Sequence, residues 1–230
     1  MSTIHFVGGE KGGVGKSVMS RLLSQYCIDT QKVYVGFDAD QSHGTLTRFY
    51  PEFTQSLDIS VYEDADKIFE AAVIEDVNVV VDLPAQSERF LTHWMEENDI
   101  ADMFEEAEIR CIYWYVVDDG LDSANLVANF LTKYGKQLPI VLVKNHGRGQ
   151  DFSALDKVLG QKNLHATEQI ELPELYASTM SNIDHLNINF WAAANQTERP
   201  GGVLGLMERQ RTRVWIKKAY SQIEGIIEKS

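Results

Sequence analysis

The stretch "GGEKGGVGKSVMS", residues 8–20, decides how this chain is read. It ends in the Gly-Lys-Ser of a phosphate-binding loop, although the strict pattern G-x-x-x-x-G-K-[ST] would place a glycine where Glu10 stands. An extra lysine, Lys11, precedes the glycine pair. Upstream, "TIHFVG" (residues 3–8) is a short apolar run that reads as a buried strand. Downstream, Met19, Leu22, Leu23, Tyr26 and Cys27 recur at helical spacing, so a helix begins near Lys16. Such a junction gathers backbone N–H groups and the positive end of a helix dipole around one small volume, and polyphosphate suits it. Gly12, Gly13 and Gly15 let the backbone curl around phosphates, with Val14 and Val18 as further contact positions. Lys16 is placed for the β- and γ-phosphates and the Ser17 hydroxyl for Mg²⁺. The competing reading is a glycine-rich turn with no ligand.

Outward from the loop, "KVYVGFD" (32–38) and "VNVVVDLP" (77–84) read as strands ending on Asp38 and Asp82, with "DADKIFEAAVIED" helical between them. Further strands are expected at "RCIYWYVV" (110–117) and "LPIVLVKN" (138–145), separated by a helix whose face is Val127, Phe130, Leu131 and Tyr134. This alternation predicts an α/β fold, a mainly parallel sheet flanked by helices on both faces. The last third turns helical. A short strand near 165–170 precedes "LPELYASTMSN", "HLNINFWAAAN", a turn at "RPGG" and a long final helix with Trp215, Ala219, Ile223, Ile226 and Ile227 on one face. A chain of 230 residues fits one domain, 1–230, with a C-terminal helical segment from about 173.

Two cysteines, Cys27 and Cys111, form no paired motif, which favours a reducing compartment and argues against a cysteine-built metal site. No basic segment followed by a long apolar stretch opens the chain, so a cytoplasmic protein with no transmembrane segment is expected. The net charge of −13 excludes a surface that coats nucleic acid throughout. One local exception is "MERQRTRVWIKK" (207–218), with five basic residues (Arg209, Arg211, Arg213, Lys217 and Lys218) against one acid. It could bind DNA phosphates, with dimerisation doubling a weak site; the competing reading is the solvated face of a packed helix. A membrane-binding C-terminal helix is not expected from "IEGIIEKS".

"KGGVGKS" resembles the deviant phosphate-binding loop of the ParA/MinD ATPases, a P-loop NTPase group. The resemblance runs through most of the chain in order: loop, D-x-D after strand two, D-x-P after strand three, and an asparagine ending a later strand. It implies a Mg-ATP-dependent switch that hydrolyses ATP slowly and cycles between monomer and nucleotide-sandwich dimer, positioning or segregating plasmid DNA or another cargo with an activating partner protein not identified by the sequence. By the same resemblance Lys11 would cross the dimer interface to the partner's nucleotide, stabilising charge on the transferring phosphoryl group. Asp40 would orient the attacking water, and Asp38 would lie near Mg²⁺ and Lys16. Asp82 would reach Mg²⁺ through water, against the competing reading of a cap on a helix starting near Ser87. Asn145 matches the adenine-contacting asparagine, with a plain turn as alternative and Arg148 as a weaker candidate.

Two departures stand out. Glu10 occupies a position that varies among ParA relatives. Gln41, Ser42, His43 and Gly44 replace the common Pro-Gln-Gly-Asn, and His43 reads as an exposed loop residue rather than a catalyst. "DADQSHGTLTRFY" is similar to the TraL/StbB-like plasmid ATPases. The rival from another class is a biosynthetic ligase or small-molecule kinase of the dethiobiotin synthetase kind, against which the Lys-Gly-Gly signature counts. A metallochaperone ATPase is disfavoured by the lack of paired cysteines, and a non-hydrolysing nucleotide sensor by Asp40.

Overall fold

The computed structural model describes residues 1–228 except 75 and 98. Its strands are β1 (Thr3–Gly8), β2 (Val33–Asp38), β3 (Thr54–Ser56), β4 (Val77–Asp82), β5 (Arg110–Val117), β6 (Ile140–Asn145) and β7 (Glu168–Leu172). They form one parallel sheet in the order β3-β2-β4-β1-β5-β6-β7. Ten helices accompany them among the described residues: α1 (Lys16–Asp29), α2 (Thr45–Phe49), α3 (Tyr62–Ala72), α4 (Glu88–Glu97), α5 (Ile100–Glu106), α6 (Leu121–Tyr134), α7 (Ser153–Lys162), α8 (Ala177–Leu186), α9 (Phe190–Asn195) and α10 (Leu206–Ile227).

Period-two alternation along the strands divides the core into two apolar layers. Cys111, Tyr113, Tyr115 and Val117 of β5 join one layer, and Ile112, Trp114 and Val116 the other. The first layer is closed by α3 to α7 through residues such as Ile68, Trp94, Phe104, Phe130 and Leu155. The second is closed by α1, α2 and α8 to α10 through Leu22, Phe49, Ile183, Phe190 and Trp215. Both faces are therefore covered, which is why the strands read as continuous apolar runs. The expected strand near 165–170 lies at Glu168–Leu172, and the expected face of the final helix packs inward, with Ile227 half-buried at its end. Arg110 donates to the Ile226 and Ile227 carbonyls at 3.0 and 2.9 Å, placing a cation at the negative end of α10. No described helix is long and apolar enough to cross a membrane.

His5 and Arg21 are among the polar groups held inside this second layer. His5 is fully buried: the Trp114 indole N–H donates to its Nδ1 at 3.2 Å, so Nε2 carries the proton that faces Asn78 Oδ1 at 3.3 Å. Arg21 of α1 is buried with its guanidinium 3.6 Å from the Phe49 ring centre and 4.4 Å from that of Phe190, and it donates to Asp184 Oδ1 at 2.8 Å. That one cation ties α1 to α2, α8 and α9.

The chain leaves β1 toward β2 on one side and leaves β4 toward β5 on the other, so the crevice at the carboxyl ends of β1 and β4 is the topological switch point. Ligands of open α/β sheets bind there.

Candidate nucleotide site

The loop between β1 and α1 opens at that crevice. Gly15 caps α1 in the left-handed region at φ 103°, and α1 has no side-chain cap and no acid in its first turn. Its first N–H groups thus remain available, and the dipole favours an anion. A side chain at Gly15 would be strained, and its Cβ would collide with the Asn145 amide nitrogen. Val14 is fully buried beneath the loop, whereas a Cβ at Gly12 or Gly13 would meet nothing within 4 Å.

Lys16 is buried and donates from Nζ to the Lys11 carbonyl at 3.1 Å, so the loop folds over its own lysine. Burial pushes the ammonium below its ordinary value, with the charges of Asp82, Asp40 and Glu10 acting against it. Asp82, at the end of β4, is fully buried. Its Oδ1 accepts from the Ser20 hydroxyl at 2.9 Å, while Oδ2 has no partner. Burial, then the neighbouring Asp38 charge, raises its carboxyl to about 7, and the Ser20 bond and the nearby Ser17 hydroxyl pull the other way. Asp38 stands opposite Asp82 across the β2/β4 pair. Its oxygens accept from the Asp40 N–H at 3.2 Å and the Thr47 N–H at 2.9 Å, and burial raises its carboxyl.

A buried acid with an orphaned oxygen beside a serine and a lysine is suited to a cation. No described group of three His, Cys, Asp or Glu residues is arranged to hold an ion alone. Mg²⁺ carried with a nucleotide needs no such cage: one or two carboxylates, a hydroxyl, phosphate oxygens and water suffice. Asp82 and Ser17 fit that set, with Asp38 beside them. The competing role of Asp82 as a helix cap falls away, because the N-terminus of α4 is capped by another residue: Glu10 Oε1 accepts from the Glu88 N–H at 3.2 Å. This also accounts for the non-glycine first position of the loop. Its side chain ties the loop to α4, and its N–H donates to the Tyr115 hydroxyl at 3.4 Å.

Lys11 is held within its own chain. Nζ lies 2.7 Å from Asp118 Oδ2, and this bond raises the ammonium's proton affinity. Asp118 also accepts from the Ser123 hydroxyl at 2.5 Å and the Gly120 N–H at 3.1 Å. Burial alone would raise its carboxyl; these three donors outweigh burial and hold it below its ordinary value.

Asp40 follows β2 on the far side of the loop. Ser42 N–H donates to its Oδ1 at 3.1 Å, and His43 Nδ1 to its Oδ2 at 3.0 Å. His43 is exposed, as read from the sequence, yet it is not idle. Asn145 is engaged at both ends of its amide: Nδ2 donates to the Val14 carbonyl at 2.7 Å and Oδ1 accepts from the Gly147 N–H at 3.0 Å. It therefore braces the loop, and beside it opens a cleft of 310 Å³ lined in part by Val18, Arg148, Pro173, Leu175 and Met180. A purine base would fit there.

Lys16, Ser17, Asp38, Asp82 and Asn145 thus converge on one crevice, with Asp40 and Lys11 at its rim. The basic cluster is separate in kind. Arg211, Arg213, Lys217 and Lys218 are exposed on α10, whereas Arg209 is half-buried and donates to the Leu204 carbonyl at 2.7 Å. Asp118 and Ser20 were not singled out by sequence. Both had a signal, Asp118 as another acid ending an apolar strand and Ser20 as one helical turn beyond Lys16.

No family model matches the chain. Two Escherichia coli proteins called Protein TraL are similar over nearly the whole length, one 23% identical across 97% of this chain and 98% of its own, the other 21% identical over the same shares. Among solved structures, a plasmid partition protein from Borrelia burgdorferi B31 bound to AMPPNP superposes over 100% of both chains with a TM-score of 0.60 at 12% identity. A chain of the MinC:MinD cell division protein complex from Aquifex aeolicus matches with a TM-score of 0.54 at 13% identity, over 97% of this chain and 96% of that one. The parallel sheet between two helical layers expected from the sequence is present, and the chain shares its overall fold with these two structures.

Proposed function

We propose that this chain is a Mg-ATP-dependent switch that hydrolyses ATP and alternates between a monomer and a dimer enclosing two nucleotides, positioning plasmid DNA or another cargo. The observation that carries the reading is the buried Asp82, with one oxygen unpartnered, facing an uncapped helix N-terminus and a buried lysine at the sheet's switch point. Its support from relatives is the AMPPNP held by the similar partition protein. Lys16 and the first N–H groups of α1 hold the phosphates, Asn145 braces the loop, and the adjoining cleft takes the base. Asp82 and Ser17 hold Mg²⁺, with Asp38 close by; when bound, the ion neutralises charge on the β- and γ-phosphates. Asp40 orients the attacking water. Lys11 exchanges Asp118 for the partner's nucleotide, and an activating protein acts on the assembled dimer. The basic face of α10 offers Arg211, Arg213, Lys217 and Lys218 to DNA phosphates.

The Lys-Gly-Gly signature favours this reading over a ligase or small-molecule kinase. Light scattering after size exclusion tests it, on wild type and Lys11→Ala with Mg-ADP and with Mg-AMPPNP. The expected result is a dimer only for wild type with AMPPNP. A mass unchanged by bound nucleotide in both proteins would end the sandwich mechanism and turn attention to kinase substrates.

A further inference from the structure

In the loop after β2 the structure gives Asp40 a side-chain partner, His43. Asp40 carries two bonds from its own loop, the Ser42 N–H on Oδ1 and the His43 ring on Oδ2. A carboxylate's terminal torsion is broad and nearly two-fold, so a single donor leaves its plane free to swing. Two donors on different oxygens fix it. Each oxygen keeps a second acceptor site for water, since an ionised carboxylate offers about four.

We infer that His43 is a positioning residue for ATP hydrolysis: its Nδ1–H holds the Asp40 carboxylate in the orientation from which Asp40 directs the attacking water. The inference rests on the reading of Asp40 under Proposed function. Because a carboxylate only accepts, Nδ1 must be the protonated nitrogen, which leaves Nε2 as an acceptor turned to solvent. The backbone supports the same geometry: the His43 and Gly44 N–H groups donate to the Asp40 carbonyl at 3.1 and 2.8 Å. Gly44, at φ 53°, then starts α2, whose Thr47 N–H binds Asp38. Asp40 is the one charged group that faces the His43 ring among the described ion pairs. Among the described hydrogen bonds His43 makes none to the phosphate loop, so its loss should spare nucleotide binding.

Single-turnover hydrolysis of Mg-ATP by the full chain tests this, alongside nucleotide affinity measured with a fluorescent ADP. His43→Ala is expected to slow hydrolysis about 10- to 100-fold, the range for a misoriented catalytic group, with affinity changed less than about twofold. His43→Asn can place an amide N–H where Nδ1–H was and should recover to within about threefold of wild type. An alanine variant at the wild-type rate, or an asparagine variant as slow as alanine, would overturn the inference. A second readout does not depend on hydrolysis. Side-chain ¹⁵N shifts should show the neutral His43 ring as the Nδ1–H tautomer in wild type and as Nε2–H in Asp40→Ala. An Nε2–H ring in wild type refutes the contact. Wild type that binds but never hydrolyses ATP overturns the hydrolytic reading itself, and the tautomer then decides whether His43 holds Asp40.

Discussion

Lys11 Nζ and Asp118 Oδ2 lie 2.7 Å apart across 107 residues of sequence, within one chain. The lysine proposed to serve a partner is therefore occupied at home until a partner arrives. Its side chain is 36% exposed and that of Asp118 17%, so the pair is worth no more than about 1 kcal/mol. Asp118→Asn weakens the hold while still accepting from Gly120 and Ser123. With Mg-AMPPNP it should tighten dimerisation about four- to 25-fold, that energy entering once for each of the two subunits, measured by sedimentation equilibrium. Looser dimerisation in this variant would mean that Asp118 supports the dimer instead.

The buried Asp82 makes a stability prediction with a definite sign. Its carboxyl is raised from 3.8 to about 7 by burial and by Asp38. The folded chain therefore binds more protons than the unfolded one between those values, and the contribution present below pH 3.8 is lost as pH rises through 7. Asp82→Asn removes the charge. Without nucleotide at pH 8 it should be more stable than wild type by about 1–2 kcal/mol in urea denaturation, while losing the stabilisation that Mg-ATP gives wild type. Equal stability at pH 8 would show that the ionised acid is solvated rather than buried.

His5 acts in the opposite direction. Burial lowers its ring from 6.5 to about 4, so the native state holds it neutral while the unfolded chain protonates it. Stability present above pH 6.5 is lost as pH falls toward 4, by up to about 1.4 kcal/mol per pH unit. His5→Gln retains an acceptor for Trp114 and removes the titration. Comparing the two proteins at pH 7 and pH 5 by denaturant unfolding should show wild type losing about 1–2 kcal/mol more than the variant. Parallel losses would mean that the ring reaches water.

Asn145 separates two roles by ligand. Its amide spans the Val14 carbonyl and the Gly147 N–H, so its first effect is on the loop. Asn145→Ala should weaken ATP and tripolyphosphate alike, by about tenfold, because a loosened loop holds any phosphate less well. Isothermal titration with both ligands checks this. A loss confined to ATP would assign Asn145 to the base.

The parts of this fold written in the sequence are those whose cause is local. β1, β2, β4, β5 and β6 are apolar on both faces, and three of them end on Gly8, Asp38 and Asp82, which mark the crevice directly. β3 has three polar residues and borrows its strand character from β2. The Glu88 N–H that opens α4 finds its acceptor in Glu10, 78 residues earlier. The same separation hid the Asp118 partner of Lys11. His43 was legible as exposed but not as a donor, because a three-residue turn decides where its ring points.

β1 lies in the middle of the sheet, yet its neighbours are β4 and β5, drawn from residues 77–82 and 110–117. The phosphate loop is synthesised before either of the strands that flank β1. Until β4 and then β5 have been made, the loop lacks the two strands that flank it, and nucleotide can give the nascent protein little stability. Pairings this distant in sequence also close slowly. Residues 3–8 must wait, apolar and unpaired, for partners at 77–82 and 110–117, so chaperone capture and premature aggregation should centre on them.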